Sequence, residues 1–356
     1  MNKMKNCLCI AFFAFLFLSP YAFGYGRGIF FRLFGAEAKI CATVVDDDGK
    51  PVEDAEVTAT YRLYHTGWGD CVNNVTCLTD AAGRADLAGR CDEFDAGIYV
   101  AKEGFYKTHE RRTVKSEDNP DGKGIYTKWG KWNPYGVKKT YVLKEIRNPV
   151  PMVVFTNVTI HPSALDKEFG YDLEYGDFVK PYGDGEVADF YVKFEWDEND
   201  KRTIKKMTMT FPNALDGAYI CPYYEPSQLK SPYRADENAT YEKEYVFFTN
   251  WEKDRPDNEY KIVDKYELAG DQGMILRTRT KVDVDGALVS AHYSKIYGKI
   301  AVDGQYPESL KVSRGGIAIF FNPMENDTNL ECDGKPHPEL RKGRRKNVEH
   351  GNCEAL

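Results

Sequence analysis

A spaced series of turn residues between positions 44 and 105 constrains this chain more than any other feature. The first block reads Val44-Val45-Asp46-Asp47-Asp48-Gly49-Lys50-Pro51-Val52-Glu53-Asp54-Ala55-Glu56-Val57. The second is Thr79-Asp80-Ala81-Ala82-Gly83-Arg84-Ala85-Asp86-Leu87, and the third is Gly97-Ile98-Tyr99-Val100-Ala101-Lys102-Glu103-Gly104-Phe105. In the first block Asp46 and Asp48 can bond the local backbone, Gly49 supplies a positive φ, and Pro51 fixes φ as the chain leaves the turn. In the second, Asp80–Gly83 predicts a type I turn with Gly83 left-handed. The flanks alternate with period two: Ile40, Ala42 and Val44 before the first turn, then Val57, Ala59, Tyr61 and Leu63 after it. That is strand, turn, strand.

Composition extends this reading to the whole chain. Among 356 residues there are 24 Tyr, 20 Phe and 5 Trp, and long polar helical segments are missing, so an all-β fold is expected. The best helix signal is short, Ser163–Glu168. The length admits two or three domains with a core each. A formal net charge of −7 gives no electrostatic reason to seek DNA or RNA.

The quoted turn blocks resemble the transthyretin-like fold of carboxypeptidase regulatory-like domains. The resemblance implies a seven-stranded, Ig-like β-sandwich. The chain departs from the family at Asp54, where a small Gly usually precedes the Ala. Asn148-Pro149-Val150-Pro151, Phe169-Gly170-Tyr171-Asp172-Leu173 with Gly176-Asp177, Tyr297-Gly298 and Asn322-Pro323 are similar to exported bacterial proteins that pair such a domain with a β-rich half. That similarity brings no mechanism.

The N-terminus points to export. Lys3 and Lys5 precede an apolar run, Cys7–Leu18, which Ser19-Pro20 breaks, and Ala22-Phe23-Gly24 supplies small residues for cleavage. Residues 1–24 therefore read as a secretory signal peptide. The run is well short of the ~20 residues a spanning helix needs. The expected location is the periplasm, the cell surface or the exterior, with no transmembrane segment in the mature chain. Of nine cysteines, Cys7 and Cys9 fall in this segment, which leaves seven. In an oxidising compartment these read as disulfides. Pairing Asp80 with Arg84 brings position 73 opposite Cys91, and a slip of two residues brings Cys71 there. Cys71–Cys91 is thus the first expected bridge, Cys332–Cys353 the second and Cys41–Cys77 the third, with Cys221 the odd thiol.

Domain organisation follows the punctuation. Residues 25–35 form a linker, the first domain spans 36–147, and a Pro-rich joint opens a larger β-rich domain at 148–334. A basic tail, 335–356, carries Arg341-Lys342-Gly343-Arg344-Arg345-Lys346 and reads as disordered and solvated. In the second domain Phe190, Val192, Phe194 and Trp196 alternate with polar neighbours, and Asp285-Gly286 predicts a type I′ hairpin. Met274, Leu276, Val282 and Val284 are expected on its buried face, with Arg277, Arg279, Lys281 and Asp283 on a wet one.

The residue inventory excludes several chemistries. None of His65, His109, His161, His292, His337 and His350 is followed by Glu three residues on, so the zinc site of a carboxypeptidase has no ligands. No Gly-x-Ser-x-Gly elbow, phosphate loop or dinucleotide fingerprint occurs, and no metal or cofactor is expected. Asp177, Asp184, Glu186 and Asp189 crowd one stretch and read either as a solvated acidic loop or as a cation or catalytic site. Asn74, Asn157, Asn238 and Asn326 start Asn-x-Thr sequons, which in a bacterial chain mark only Thr-rich strands. Trp129, Trp132 and Tyr135, extended by Trp68, read either as a sugar-stacking platform or as rings that close one end of the sandwich. The expected function is non-catalytic binding or structural work at the cell envelope, with carbohydrate or an envelope protein as partner. The alternative is a carbohydrate-active hydrolase with paired carboxylates in the second domain.

Overall fold

The alternating flanks of the first turn become two layers of a sandwich. A computed structural model describes residues 35–65, 69–91, 96–110, 126–128, 130–199, 201–224, 226–253 and 260–334. The expected signal peptide, the expected linker up to residue 34 and the basic tail lie outside them. The chain divides into two units, Met1–Ile146 and Arg147–Leu356.

In the first unit β1 (Ala36–Val45) buries Ala36, Ala38, Ile40, Ala42 and Val44, every second residue. β2 (Glu56–His65) answers with Val57, Ala59 and Tyr61. The remaining strands are β3 (Gly69–Leu78), β4 (Arg84–Cys91), β5 (Ala96–Ala101), β6 (Thr108–Glu110), β7 (Tyr126–Lys128), β8 (Lys131–Asn133) and β9 (Val137–Val142). One sheet runs β4-β1-β8-β7, with β9 also beside β1; the other runs β3-β2-β5-β6. The small residues of β1 and the bare backbone of Gly89 leave room for the Tyr61 ring, whose hydroxyl donates to Leu87 O at 2.9 Å. A Cβ at Gly89 would enter that ring.

One turn design recurs three times. At Asp46, Asp80 and Asp283 the residue's N–H donates to the carbonyl four residues on, at 2.9, 3.0 and 2.9 Å. Its own carbonyl accepts the N–H of Gly49, Gly83 or Gly286, and its Oδ1 accepts two further N–H groups at 2.8–2.9 Å. The glycines have φ of 79°, 70° and 81°. At Asp283 this corrects the expected type I′ turn. Only Gly286, not Asp285, takes a positive φ, because the Asp283 carboxylate holds a longer loop that ends in a left-handed glycine.

The second unit contains β10 (Val153–Ile160), β11 (Glu168–Asp172), β12 (Asp177–Phe178), β13 (Phe190–Glu198), β14 (Arg202–Thr210), β15 (Gly217–Pro222), β16 (Glu244–Lys253), β17 (Tyr260–Tyr266), β18 (Gln272–Val282), β19 (Leu288–Tyr297), β20 (Val302–Asp303) and β21 (Lys311–Phe321). One sheet has the order β10-β21-β19-β18-β15, with β20 beside β21, and the other β12-β11-β13-β14-β16-β17. Phe190, Val192, Phe194, Met207, Met209 and Phe247 face Met274, Leu276, Ile296 and Phe321 in the larger core. The expected helix at 163–168 is absent; Glu168 already belongs to β11. The fold is all-β.

The expected wet face of the β18–β19 hairpin is corrected too. Ile275, Tyr293, Tyr297 and Phe320 form a second core on the outer side of that sheet, together with Tyr223, Leu330 and Cys332. The sheet is covered on both faces. A bulge after Thr278 then breaks the alternation, and Val282 and Val284 are exposed.

Candidate functional site

The bulge in β18 turns Arg279 out of the strand pattern at φ +53°, a rare backbone for a side-chain-bearing residue. Its guanidinium meets three carboxylates. Nε and Nη2 donate to Asp189 Oδ1 and Oδ2 at 2.9 and 3.1 Å, Nη2 also to Asp172 Oδ1 at 3.0 Å, and Nη1 to Glu174 Oε2 at 2.8 Å. The planar fork suits this multiple engagement, which an ammonium cannot reproduce. The charge also lies 4.7 Å over the Phe321 ring, on whose plane His292 stacks at 5.5 Å.

The carboxylates are themselves saturated. Asp172 takes the N–H groups of Glu174 and Tyr175 on one oxygen and those of Glu186 and Val187 on the other. Asp189 also accepts the Leu173 N–H at 2.8 Å, and Asp177 accepts that of Asp184 at 2.9 Å. Asp172 and Asp189 are fully buried and Asp177 nearly so. The solvated acidic loop is therefore corrected at Asp177 and Asp189, while Asp184 and Glu186 are exposed. Burial pushes the Asp189 carboxyl up by more than Arg279 pulls it down. Burial opposes the Arg279 charge, but the bonds to Asp189 and Glu174 outweigh it and raise its pKa. Burial holds His292 below the usual imidazole range, with the Arg279 charge acting in the same sense.

A second polar group escaped sequence reasoning altogether. In the outer core the Ser231 hydroxyl receives Lys295 Nζ at 3.4 Å and Tyr297 OH at 3.1 Å, and Lys295 also donates to Leu330 O at 2.6 Å. Lys295 lies 4.8 Å from the centre of Tyr297 and 4.7 Å from that of Phe320. Serine, lysine and tyrosine in contact is the arrangement of an activated nucleophile. Here all three are buried, Ser231 fully, so the contacts join β19 to the segments that cover its sheet. The third layer over β19 explains the burial of Lys295.

The aromatic platform is also redistributed. Trp132 is 2% exposed and belongs to the first unit's core, because β8 pairs with β7 and turns its indole inward. Tyr135 stays 42% exposed; its hydroxyl donates to Glu37 Oε1 at 2.6 Å, and Lys131 covers one ring face at 4.8 Å. Trp68 and Trp129 lie outside the described residues.

The Cys71–Cys91 bridge does not form. The Gly83 turn pairs Asp80 with Arg84, after which β3 joins β2 in one sheet and β4 joins β1 in the other. Cys71 therefore opposes Leu63, Cys91 opposes Ala36, and Cys91 is a buried thiol. Cys41 and Cys77 are thiols as well: Cys77 turns toward the core and bonds Asp86 O at 3.6 Å, while Cys41 sits on the outward side of β1. Cys221 is a buried thiol. Cys332 is buried and disulfide-bonded, and Cys353, its expected partner, lies outside the described residues. Among the described residues no group of three or more His, Cys, Asp or Glu is placed to hold a metal ion, and no helix is long and apolar enough to cross a membrane.

No family model matches the chain, and no curated protein matches it. Several solved structures overlap it weakly. The 3-chlorocatechol 1,2-dioxygenase of Rhodococcus opacus 1CP shares 12% identity at a TM-score of 0.22, over 32% of this chain and 61% of that one. A DUF3823 family protein of Parabacteroides merdae shares 6% at 0.18, over 68% and 91%. A suggested carbohydrate-binding protein of Bacteroides uniformis shares 6% at 0.18, over 80% and 99%. Overlaps of this size assign neither a family nor an activity.

Proposed function

We propose that this chain is an exported, non-catalytic module that binds or builds at the cell envelope, with carbohydrate or an envelope protein as its partner, and that its first unit is a carboxypeptidase regulatory-like sandwich. The observation that carries the reading is the fate of the second unit's paired carboxylates. A glycosidase needs two carboxyl groups facing each other across a sugar-filled cleft. Asp172 and Asp189 are close enough to share Arg279, but both are fully buried and bonded to backbone N–H groups. They hold residues 172–189 against β18 rather than a substrate. The repeated Asp-x-x-Gly turns and the two facing sheets support the sandwich reading, and the leader-like N-terminus supports export. Tyr135, part-exposed and with Lys131 over its ring, is the stacking surface this reading uses.

The test is a panel of polysaccharides assayed both for retention of the protein in affinity gels and for release of reducing ends. Retention without release, weakened by Tyr135→Ala, is the expected result for a carbohydrate partner. Release of reducing ends that disappears in a folded Asp189→Asn variant would overturn the non-catalytic reading.

A further inference from the structure

β3 is an edge strand. It pairs with β2 along its whole length, from Glu56 opposite Leu78 to His65 opposite Gly69, without a bulge. Among the described residues no strand pairs with its other side. An open edge is a template for another strand, and proteins blunt such edges with charge, proline, bulges or short length. The other edges here are blunted. β17 carries Lys261, Asp264 and Lys265; β4 carries Arg84, Asp86 and Arg90. β10 is interrupted by two register shifts, and β15 ends on Pro222 and is bridged by Glu242. β6, β7 and β12 span three residues or fewer.

The run Val72-Asn73-Asn74-Val75-Thr76-Cys77-Leu78 has none of these devices. Its outward face shows Val72 (54% exposed), Asn74, Thr76 and Leu78 (61% exposed), while Val75 and Cys77 pack against the core. The run is also its own complement. An antiparallel two-fold through Val75 sets Val72 opposite Leu78 and Asn74 opposite Thr76 on the outward face. It sets Asn73 opposite Cys77 and Val75 opposite Val75 on the other. Apolar meets apolar and amide meets hydroxyl, the pairings that stabilise adjacent strands, and no charge opposes a like charge. An isologous contact of this kind closes at two copies.

We propose that two copies of this chain associate edge to edge through β3, antiparallel about Val75, fusing two four-stranded sheets into one. The occupant of the edge is a second copy rather than an unrelated peptide because the run matches its own reversal at Val75 and at every position of its outward face. This inference stands independently of the binding role proposed above.

Sedimentation equilibrium on the full chain in reducing buffer tests it, since reductant removes any disulfide-linked dimer. The wild type is expected to show a reversible monomer–dimer equilibrium. In Asn74→Lys/Thr76→Lys the proposed register opposes lysine to lysine twice per dimer, and association should weaken roughly ten-fold or more. In Asn74→Lys/Thr76→Glu it opposes lysine to glutamate twice, and the dimer should return. Both variants change the same two exposed positions, and matching circular dichroism and melting curves establish that each folds. A monomeric wild type at every concentration would overturn the proposal, as would equal association of the two variants. A chain that captures added extended peptides but does not self-associate would also overturn it.

Discussion

Arg279 holds a left-handed backbone that costs an ordinary residue about 1–2 kcal/mol, and what sustains it is the set of carboxylates its guanidinium reaches. Arg279→Met removes the cation bonded to Asp189 and Asp172 and leaves two fully buried carboxyl groups with less compensation. The expected loss is about 3–5 kcal/mol, read as a shift in the urea midpoint, because breaking a buried pair on one side strands the other charge. Arg279→Lys should recover only a small part of it, since an ammonium cannot span Asp189, Asp172 and Glu174 together. His292 gives a pH dependence with a definite sign. Its folded pKa lies below that of the unfolded chain, near 6.5. The unfolded state therefore takes up a proton first as pH falls, and stability drops from about pH 6.5 downward. Arg279, Asp189, Glu325 and the Asn322 carbonyl face the ring, and His161 is shifted in the same direction. His292→Phe, which keeps a ring against Phe321, should flatten the fall in melting temperature between pH 7 and 5.5 without abolishing it. An unchanged slope would remove His292 from the account.

At the scale of elements, the three Asp-x-x-Gly turns separate backbone strain from crowding. Gly49 and Gly83 have nearly the same φ and the same bonds to their aspartates. A Cβ at Gly49 meets nothing within 4 Å, whereas one at Gly83 would run into Val44 O and lie 3.2 Å from Val52 N. Gly49→Ala should therefore cost only the left-handed penalty, about 1–2 kcal/mol. Gly83→Ala should cost clearly more, because the obstacle is backbone that cannot rotate away; equal chemical-denaturation midpoints for the two would refute the distinction. These turns also mark how far sequence reasoning reached. Local chemistry was legible: the aspartate, the spacing and the glycine state the turn, and alternation states which face of β1 is buried. What the turn joins was not. The loop at Gly83 predicts a hairpin, yet its strands part into different sheets after one pair, which removes the Cys71–Cys91 bridge. Arg279 was misplaced for a related reason, since a bulge changes the phase of the alternation and nothing in residues 274–284 announces it. Asp172 was never singled out, because a carboxylate spent on backbone N–H groups looks in sequence like any other acid near a turn.

At the scale of the whole molecule, the Pro-rich joint is less a linker than the first part of the second unit. Arg147 and Asn148 donate their backbone N–H groups to the two oxygens of Glu331, at 3.0 and 3.2 Å. The Asn148 carbonyl receives the Asn329 side-chain amide at 2.5 Å, and Val150 pairs in parallel with Cys332. Glu331 is buried, so removing these two donors leaves an interior carboxylate with less compensation. Sequence composition put the domain joint at Asn148–Pro151 because consecutive prolines deny a strand its donors. It could not show that the donors just before those prolines are claimed by a residue 183 positions away. Two fragments follow from the division at Ile146, since each unit buries its own core. Residues 25–146 and residues 147–356 should each fold alone and melt cooperatively. A fragment that begins at Met152 keeps every strand of the second unit but loses the Glu331 contacts and the Val150 bridge. Its urea midpoint should fall by the equivalent of about 2 kcal/mol, the cost of taking two N–H donors from a buried carboxylate. Glu331→Gln in the 147–356 fragment should reproduce part of that loss, as it keeps the shape and one acceptor. If the Met152 fragment is as stable as the longer one, the joint is a tether and its contacts with Glu331 contribute nothing.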